Sequence, residues 1–391
     1  MEDLFTGFYD RRIDGSRKWQ YIPDTQECYK NKIVPMTVAD LDLPTAPIIK
    51  QSLIDYIEGR VLGYSNPTQK YLKAVTNHMK EFYDYRVESD WIITTPGIVS
   101  ALSTSVRAYT NPGDGVIMFP PVYYHFYEVV ENQNREIISC PLVLENGEYF
   151  INFDLFEEVA AEEKNKLLML CSPHNPGGRV WTKEELQKIT EIAIKHNLII
   201  VSDEIHADLT FNHKEHYILS SINEEIEDKS IICTSASKAF NISGLQCSNI
   251  IIPNEALRES FSKEKMKTGV QVANVLGMKA TEIAYEKGIE WLSELMNILE
   301  RNRQLTINYF KEADERFKIM EPDASFLVWV NIEDFNIPNE EFINILEKEC
   351  QLYVTDGNVY GDKGDNWLRI NFGMSTDLLE KNLKRLKNLP V

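Results

Sequence analysis

Between about residues 90 and 255 the sequence returns seven times to a short, uninterrupted apolar run. The runs are Trp91 to Thr95, Gly115 to Phe119, Arg135 to Ser139, Lys166 to Leu170, Leu198 to Ser202, Ser230 to Thr234 and Asn249 to Ile252. A strand with one face in water alternates apolar and polar residues, whereas a run without such alternation suits a strand covered by helices on both faces. The stretches between the runs have helical character. Thr182-Lys-Glu-Glu185 carries a capping-box signature, a Thr N-cap with Glu three places on. The predicted fold class is therefore α/β, a mostly parallel sheet sandwiched between helices.

From about 256 to 315 the pattern is long, charged and helical, and reads as a helix linking this core to a second domain. Beyond it, Phe326 to Val330 and Trp367 to Asn371 read as strands mixed with helices, a smaller α+β domain. The expected division is a 1–47 N-terminal segment joining the small domain, a 48–285 large domain and a 286–391 small domain. No internal repeat or low-complexity tract interrupts it.

The 391 residues are 43% apolar, enough for a large core, and 41 basic against 60 acidic side chains leave a net charge of −19. That field repels nucleic-acid phosphates and anionic lipid, so an anionic ligand has to meet a local positive site. The opening residues lack a basic flank and a long apolar stretch, and no later run approaches a membrane span, so a cytoplasmic location is expected. Cysteines 28, 140, 171, 233, 247 and 350 are scattered without a C-x-x-C pair and read as buried reduced thiols. His213 and His216 have a metal-like spacing, but in a polar loop without a third ligand nearby they read as a solvated pair. No metal site is expected. No Walker A or G-x-G-x-x-G fingerprint occurs, which argues against nucleotide hydrolysis or dinucleotide use.

In an open parallel sheet, ligands bind beyond the carboxyl ends of the strands. After the first run, Gly97, Ile98 and Val99 open a helix whose free N–H groups suit a phosphate. After the second, Pro120-Pro121-Val122-Tyr123 presents an aromatic ring. After the fourth, Asn175 stands between two prolines in a turn-rich loop. After the fifth comes Asp203, a carboxylate that is costly at the end of so apolar a strand unless a cation meets it. After the sixth, Lys238 sits among Ser235 and Ser237. Each alone has an ordinary structural explanation. Together they fit pyridoxal 5′-phosphate, whose aldehyde needs an amine, whose ring nitrogen needs a carboxylate, and whose ring, phenolic oxygen and phosphate need a stacking group, a donor and an anion cradle.

At these residues the sequence resembles the fold-type I, aspartate-aminotransferase-like pyridoxal-phosphate enzymes, and within them the MalY/PatB-type cystathionine β-lyases. The likeness runs almost end to end through Arg17-Lys-Trp19, Met36 to Asp42, Gly63-Tyr64-Ser65, Pro121-Val-Tyr123, Ser172 to Trp181, Ser202-Asp-Glu-Ile-His206, Ser235 to Ile242 and Arg369 to Gly373. It implies that Lys238 is the Schiff-base lysine and Asp203 the pyridinium partner. Asn175 would bond the phenolic oxygen, Tyr123 would stack on the ring, and His206 would join the cofactor site. Gly97, Ile98, Val99, Ser235 and Ser237 would hold the phosphate. Ala39, Asn175 and Arg369 would bind substrate, Arg369 taking the α-carboxylate in a fork. Tyr64 would reach the neighbouring subunit's site, implying a homodimer.

Two departures bear on the substrate. Thr37 and Leu43 replace a tryptophan and a phenylalanine usual in the segment at 35–43. Gln246 stands where many aminotransferases have a phosphate-binding arginine. The resemblance implies β-elimination of cystathionine or related cysteine S-conjugates to a thiol, pyruvate and ammonia. Alternatives are a class I/II aminotransferase and, in another class, a cofactor-binding regulator acting through a protein partner; no helix-turn-helix segment or basic stripe suggests direct DNA control.

Overall fold

The structure is a computed structural model that describes residues 5–211, 213–270 and 272–390. The apolar runs form β1 (Ile92–Thr95), β2 (Gly115–Met118), β3 (Glu136–Ser139), β6 (Asn165–Cys171), β7 (Ile199–Asp203), β8 (Ser230–Thr234) and β9 (Ser248–Ile251), with a hairpin of β4 (Val143–Glu145) and β5 (Glu148–Phe150) between the third and fourth. The seven join in the order β1-β9-β8-β7-β6-β2-β3. Only β9 opposes its neighbours. The ladders from β3 through β2, β6 and β7 to β8 are parallel, so β1, β2, β6, β7 and β8 all end at the same edge.

The reason for the uninterrupted runs is visible in the packing. Val116 and Met118 enter one hydrophobic cluster and Ile117 the other; Leu167 and Met169 face one side, Leu168 and Leu170 the opposite side; Ile231 and Ile232 divide likewise. Every position of β2 and β8 and all but Lys166 of β6 are thus buried by helices above or below, and alternation has no role there, whereas β3 at the sheet's edge is only partly covered. The capping box is formed, Thr182 accepting from Glu185 N while Glu185 Oε2 accepts from Thr182 N at 2.9 Å.

The segment expected as one long linking helix is three helices, Glu255–Lys267, Val275–Lys287 and Ile289–Ala313. Asn254 and Asn274 cap the first two by accepting from Leu257 N and Gly277 N. Gly288 joins the last two, where a Cβ would come within 2.6 Å of the Ala284 carbonyl and 2.7 Å of the Phe240 ring. The middle helix packs on the helices Pro47–Gly59 and Gln69–Tyr83 and is largely buried, which blurs an amphipathic pattern.

A second sheet, β10 (Lys318–Met320), β11 (Leu327–Asn331), β13 (Trp367–Asn371) and β12 (Thr355–Asp356), is antiparallel throughout in that spatial order. The N-terminal segment is hydrogen-bonded to this C-terminal part. Met36 N donates to Tyr353 O, Asn371 N to Met36 O and Asp42 N to Gly373 O, and the Asn371 side chain donates to the carbonyls of Val38 and Asp40. Lys18 and Asp42 form an ion pair that is almost wholly buried, with the Trp19 indole N–H also on Asp42. Residues 36–42 are thereby carried across to the strand-end edge of the large sheet. Among the described residues, no helix is long and apolar enough to cross a membrane. All six cysteines are buried and free.

Candidate active site

Five strand-end loops and the N-terminal segment enclose a cavity of about 160 Å³. Lys238 lies in the turn after β8, held by bonds from Phe240 N to Ala236 O and Ile242 N to Ser237 O. Its Nζ donates to the Ala39 carbonyl at 2.6 Å. Burial pushes the amine's pKa down; Asp40 and then Asp203 oppose that, while Arg369 reinforces it.

Asp203 ends β7 between Cys171 and Cys233 of the flanking strands. Its Oδ1 accepts from Ile205 N at 3.3 Å, and no ion pair reaches it among the described residues. Burial raises its pKa from 3.8 to about 7. So buried a carboxylate without a cation within bonding distance is an incomplete arrangement, and a cationic ring nitrogen would complete it.

The cradle at the start of the Ile98–Tyr109 helix is likewise open. Gly97 has φ +85°, a conformation side chains avoid, and a Cβ there would approach Gln246 Oε1 at 2.9 Å. No side chain caps this helix, so its first N–H groups are available to an anion. Ile98, Val99 and Ser237 line the same cavity, as do Tyr123, Asn175 and His206.

His174 ties the loops after β2 and β6 together, its Nε2–H donating to Pro121 O at 2.9 Å and its Nδ1 accepting from Gly177 N at 3.3 Å. Burial lowers its pKa to about 3, so the ring stays neutral in that tautomer. His206 is also neutral, lowered to about 3 by burial and by the nearby charges of Lys238 and Arg369, and its buried Nδ1 has no partner.

Arg369, 2% exposed on β13, donates through Nη1 to Asn175 Oδ1 at 3.2 Å and through Nη2 to Thr37 O at 3.3 Å. Its guanidinium carbon lies 5.2 Å from the centre of the Tyr360 ring. Nε has no partner, and no carboxylate pairs with the group among the described residues. A buried guanidinium in this state has donor capacity that a carboxylate could take up. Arg369 also lines an outer cleft of about 690 Å³ with Thr37 and Thr355. The Asn175–Arg369 bond thus joins the inner cavity to the outer one.

Ala39, Gly97, Ile98, Val99, Tyr123, Asn175, Asp203, His206, Ser237 and Lys238 all line the inner cavity. Ser235 stands behind it, its hydroxyl donating to Cys247 O at 2.7 Å and accepting from Ser237 N at 3.1 Å. Tyr64 is fully exposed and away from the cavity of its own chain. Gln246 lines the cavity. Of the two unusual residues, Thr37 lines the outer cleft with its buried hydroxyl unpartnered, whereas Leu43 is a core residue.

The reading of His213 and His216 as a solvated pair needs correction. His216 is buried and its Nε2 lies 2.8 Å from Glu204 Oε2, a bond made possible because the loop folds back onto the strand-end turn after β7. Sequence reasoning also missed Arg11 and the side chain of Asp40, which approach the site only through the path of the N-terminal segment.

Against known proteins, residues 31–386 match the family model for aminotransferase class I and II. The cystathionine β-lyase PatB of Bacillus subtilis is 36% identical over 354 residues, covering 90% of this chain and 92% of PatB. Protein MalY of Escherichia coli is 28% identical over 386 residues, covering 98% of each. Among solved structures, cystalysin from Treponema denticola, described as containing a pyridoxal 5′-phosphate cofactor, superimposes with a TM-score of 0.93 at 36% identity, covering 98% of this chain and 97% of that one. The pyridoxal-phosphate-bound C–S lyase from Staphylococcus hominis gives a TM-score of 0.90 at 27% identity, covering 99% and 98%. The architecture is accordingly the fold-type I one that the sequence resemblance implied.

Proposed function

The chain belongs to the aminotransferase class I and II family, and from that premise we propose that it is a pyridoxal-phosphate-dependent carbon–sulfur lyase. Its substrates in this reading are cystathionine or related cysteine S-conjugates, from which β-elimination releases a thiol and an aminoacrylate that water hydrolyses to pyruvate and ammonia. The observation that carries the proposal is the meeting, in one cavity, of a buried amine, a buried carboxylate without a cation and an uncapped helix N-terminus. The relatives named cystathionine β-lyase and C–S lyase support elimination over transamination.

The residues present fit the cofactor. Lys238 would hold its aldehyde carbon, Asp203 its ring nitrogen, and the Asn175 amide N–H₂ its phenolic oxygen, with Tyr123 and His206 along the ring. The N–H groups at Ile98 and Val99, with the Ser237 hydroxyl, would hold the phosphate against the close backbone of Gly97, whose own N–H donates to Thr95 O at 2.9 Å, and Ser235 would fix Ser237 from behind. When bound, the cofactor supplies an electron sink for the negative charge that develops at the substrate's α-carbon.

Arg369 takes the substrate carboxylate as a two-pronged donor, with Asn175 and the Ala39 backbone completing the clamp. The fork fixes the orientation of the α-carbon relative to Lys238. Burial lowers the Lys238 pKa, which favours the neutral amine that Nζ needs to remove the α-proton, and the Ala39 carbonyl accepts a hydrogen bond from the group. The sulfur substituent then departs from Cβ into the outer cleft past Thr37. Tyr64 would serve the site of a second subunit, which makes a homodimer the working assembly. The division at 47/48 and 285/286 follows the same reading, supported by the bonding of residues 36–42 to the C-terminal sheet. The proposed location is the cytoplasm.

Cystathionine offered without a keto acid tests the reaction. Steady release of pyruvate and thiol is expected. Turnover only after a keto acid is added would make the protein an aminotransferase, the second reading that the family model favours.

A further inference from the structure

The Lys238 amine is surrounded by charge from several directions. Asp203 faces it from the end of β7, the neutral His206 from the turn that follows, and Arg369 from β13. Tyr123, Cys171, Asn175 and Cys247 share the cavity as uncharged groups, burial raising the pKa of the tyrosine and of both thiols. From the N-terminal segment come the Ala39 carbonyl, which accepts the amine's hydrogen bond, and the next residue, Asp40, the foremost charge acting on it. Neighbouring Asp42 is engaged by Lys18 and Trp19, and Glu204 by His216.

Asp40 is held on three sides. Arg11 Nη1 binds its Oδ2 at 2.8 Å, and its carbonyl accepts from Lys18 Nζ at 3.0 Å and from Asn371 Nδ2 at 2.9 Å. Its side chain is 22% exposed, unlike the buried Asp203. The segment is therefore built to keep an anion and a carbonyl acceptor in fixed positions beside the amine, on the N-terminal strap that also carries Ala39.

We propose that Asp40, fixed by Arg11, is a positioning residue that holds the Lys238 ammonium on the Ala39 carbonyl and so sets the pH at which the amine becomes free to react. This rests on the reading of Lys238 as the cofactor-binding lysine. Asp203 is committed to the ring nitrogen in that reading, which leaves Asp40 as the carboxylate that serves the lysine. Capture of the aldehyde requires the neutral amine, and removing a nearby anion destabilises the ammonium. An Asp40→Asn protein must consequently lose the Lys238 proton at lower pH.

The test mixes apoprotein with pyridoxal 5′-phosphate across a pH series and follows the rate at which visible colour develops. Asp40→Asn is expected to move the midpoint of the rate profile down by about one pH unit, so that at a fixed pH on the acid limb capture is about tenfold faster than in the wild type. Asp40→Glu, which keeps the charge, should restore the wild-type midpoint. Should Asp40→Asn fail to fold, Asp40→Ser supplies the neutral side chain. A neutral variant that captures cofactor with an unmoved midpoint overturns the proposal, and so does a uniform slowing at every pH, the mark of a merely loosened segment. Wild-type protein that never colours would instead remove the reading of Lys238 itself, a result distinguishable from the other two.

Discussion

Replacing Asp203 by Asn should stabilise the apoprotein and weaken the holoprotein, and the size of the first effect follows from the site. Asn keeps the shape and the oxygen that accepts from Ile205 N, so the change removes charge with little change in packing. In the folded chain the carboxyl's pKa is raised from 3.8 to about 7, chiefly by burial. A carboxyl raised in this way carries no penalty below pH 3.8, where both folded and unfolded chains are protonated. As pH rises toward 7 the unfolded chain ionises and the folded one does not, and stability is lost with slope until both are ionised. A displacement of about three pH units, at about 1.36 kcal/mol each, gives ~4 kcal/mol of destabilisation at pH 8. Urea unfolding of the two apoproteins between pH 4 and 8 checks this. The variant should gain little at pH 4 and about 4 kcal/mol at pH 8, while its affinity for pyridoxal 5′-phosphate falls. Equal stability at pH 8, or a gain that does not vary with pH, would refute the assignment of an uncompensated buried carboxylate.

Three further outcomes follow from other parts of the molecule. Arg369→Met should lower kcat/KM by about 10- to 150-fold, the loss of one charged hydrogen-bonding fork worth roughly 1.5–3 kcal/mol, and cofactor uptake should be nearly unchanged; steady-state kinetics with parallel uptake spectra separate the two. Gly97→Ala forces a side chain into φ +85° beside the proposed phosphate cradle, at a cost of about 1–3 kcal/mol, and equilibrium titration should show cofactor binding weakened by about tenfold or more. Breaking the buried Lys18–Asp42 pair with Lys18→Met should cost about 3–5 kcal/mol in unfolding experiments, and adding Asp42→Leu should recover part of it, since the second change removes the stranded charge.

The central sheet was legible because its strands are buried on both faces: runs such as Lys166 to Leu170 need no alternation, and their carboxyl ends marked where Gly97, Tyr123, Asn175, Asp203 and Lys238 would gather. Contacts made by distant segments left a weaker trace. His216 looks like a loop histidine in sequence, and only the return of the chain to Glu204 makes it a buried partner. The 256–315 stretch gave one periodic pattern because charges recur throughout it, while the breaks depend on Asn254 and Asn274 as caps and on the close packing at Gly288. Asp40 stands in a segment that carries the resemblance, but the placement of its carboxylate depends on Arg11, about thirty residues earlier in the chain. Leu43 shows the reverse case, a departure from the usual residue that falls in the core and leaves the cavity walls untouched.

Covalent capture offers the most direct trial of the whole account. Purified protein is saturated with pyridoxal 5′-phosphate, treated with borohydride to fix any link between amine and aldehyde, digested, and mapped by mass spectrometry. The account predicts a single modified peptide, with the added mass on Lys238. Modification at another lysine, or an unmodified Lys238 after saturation, would contradict it.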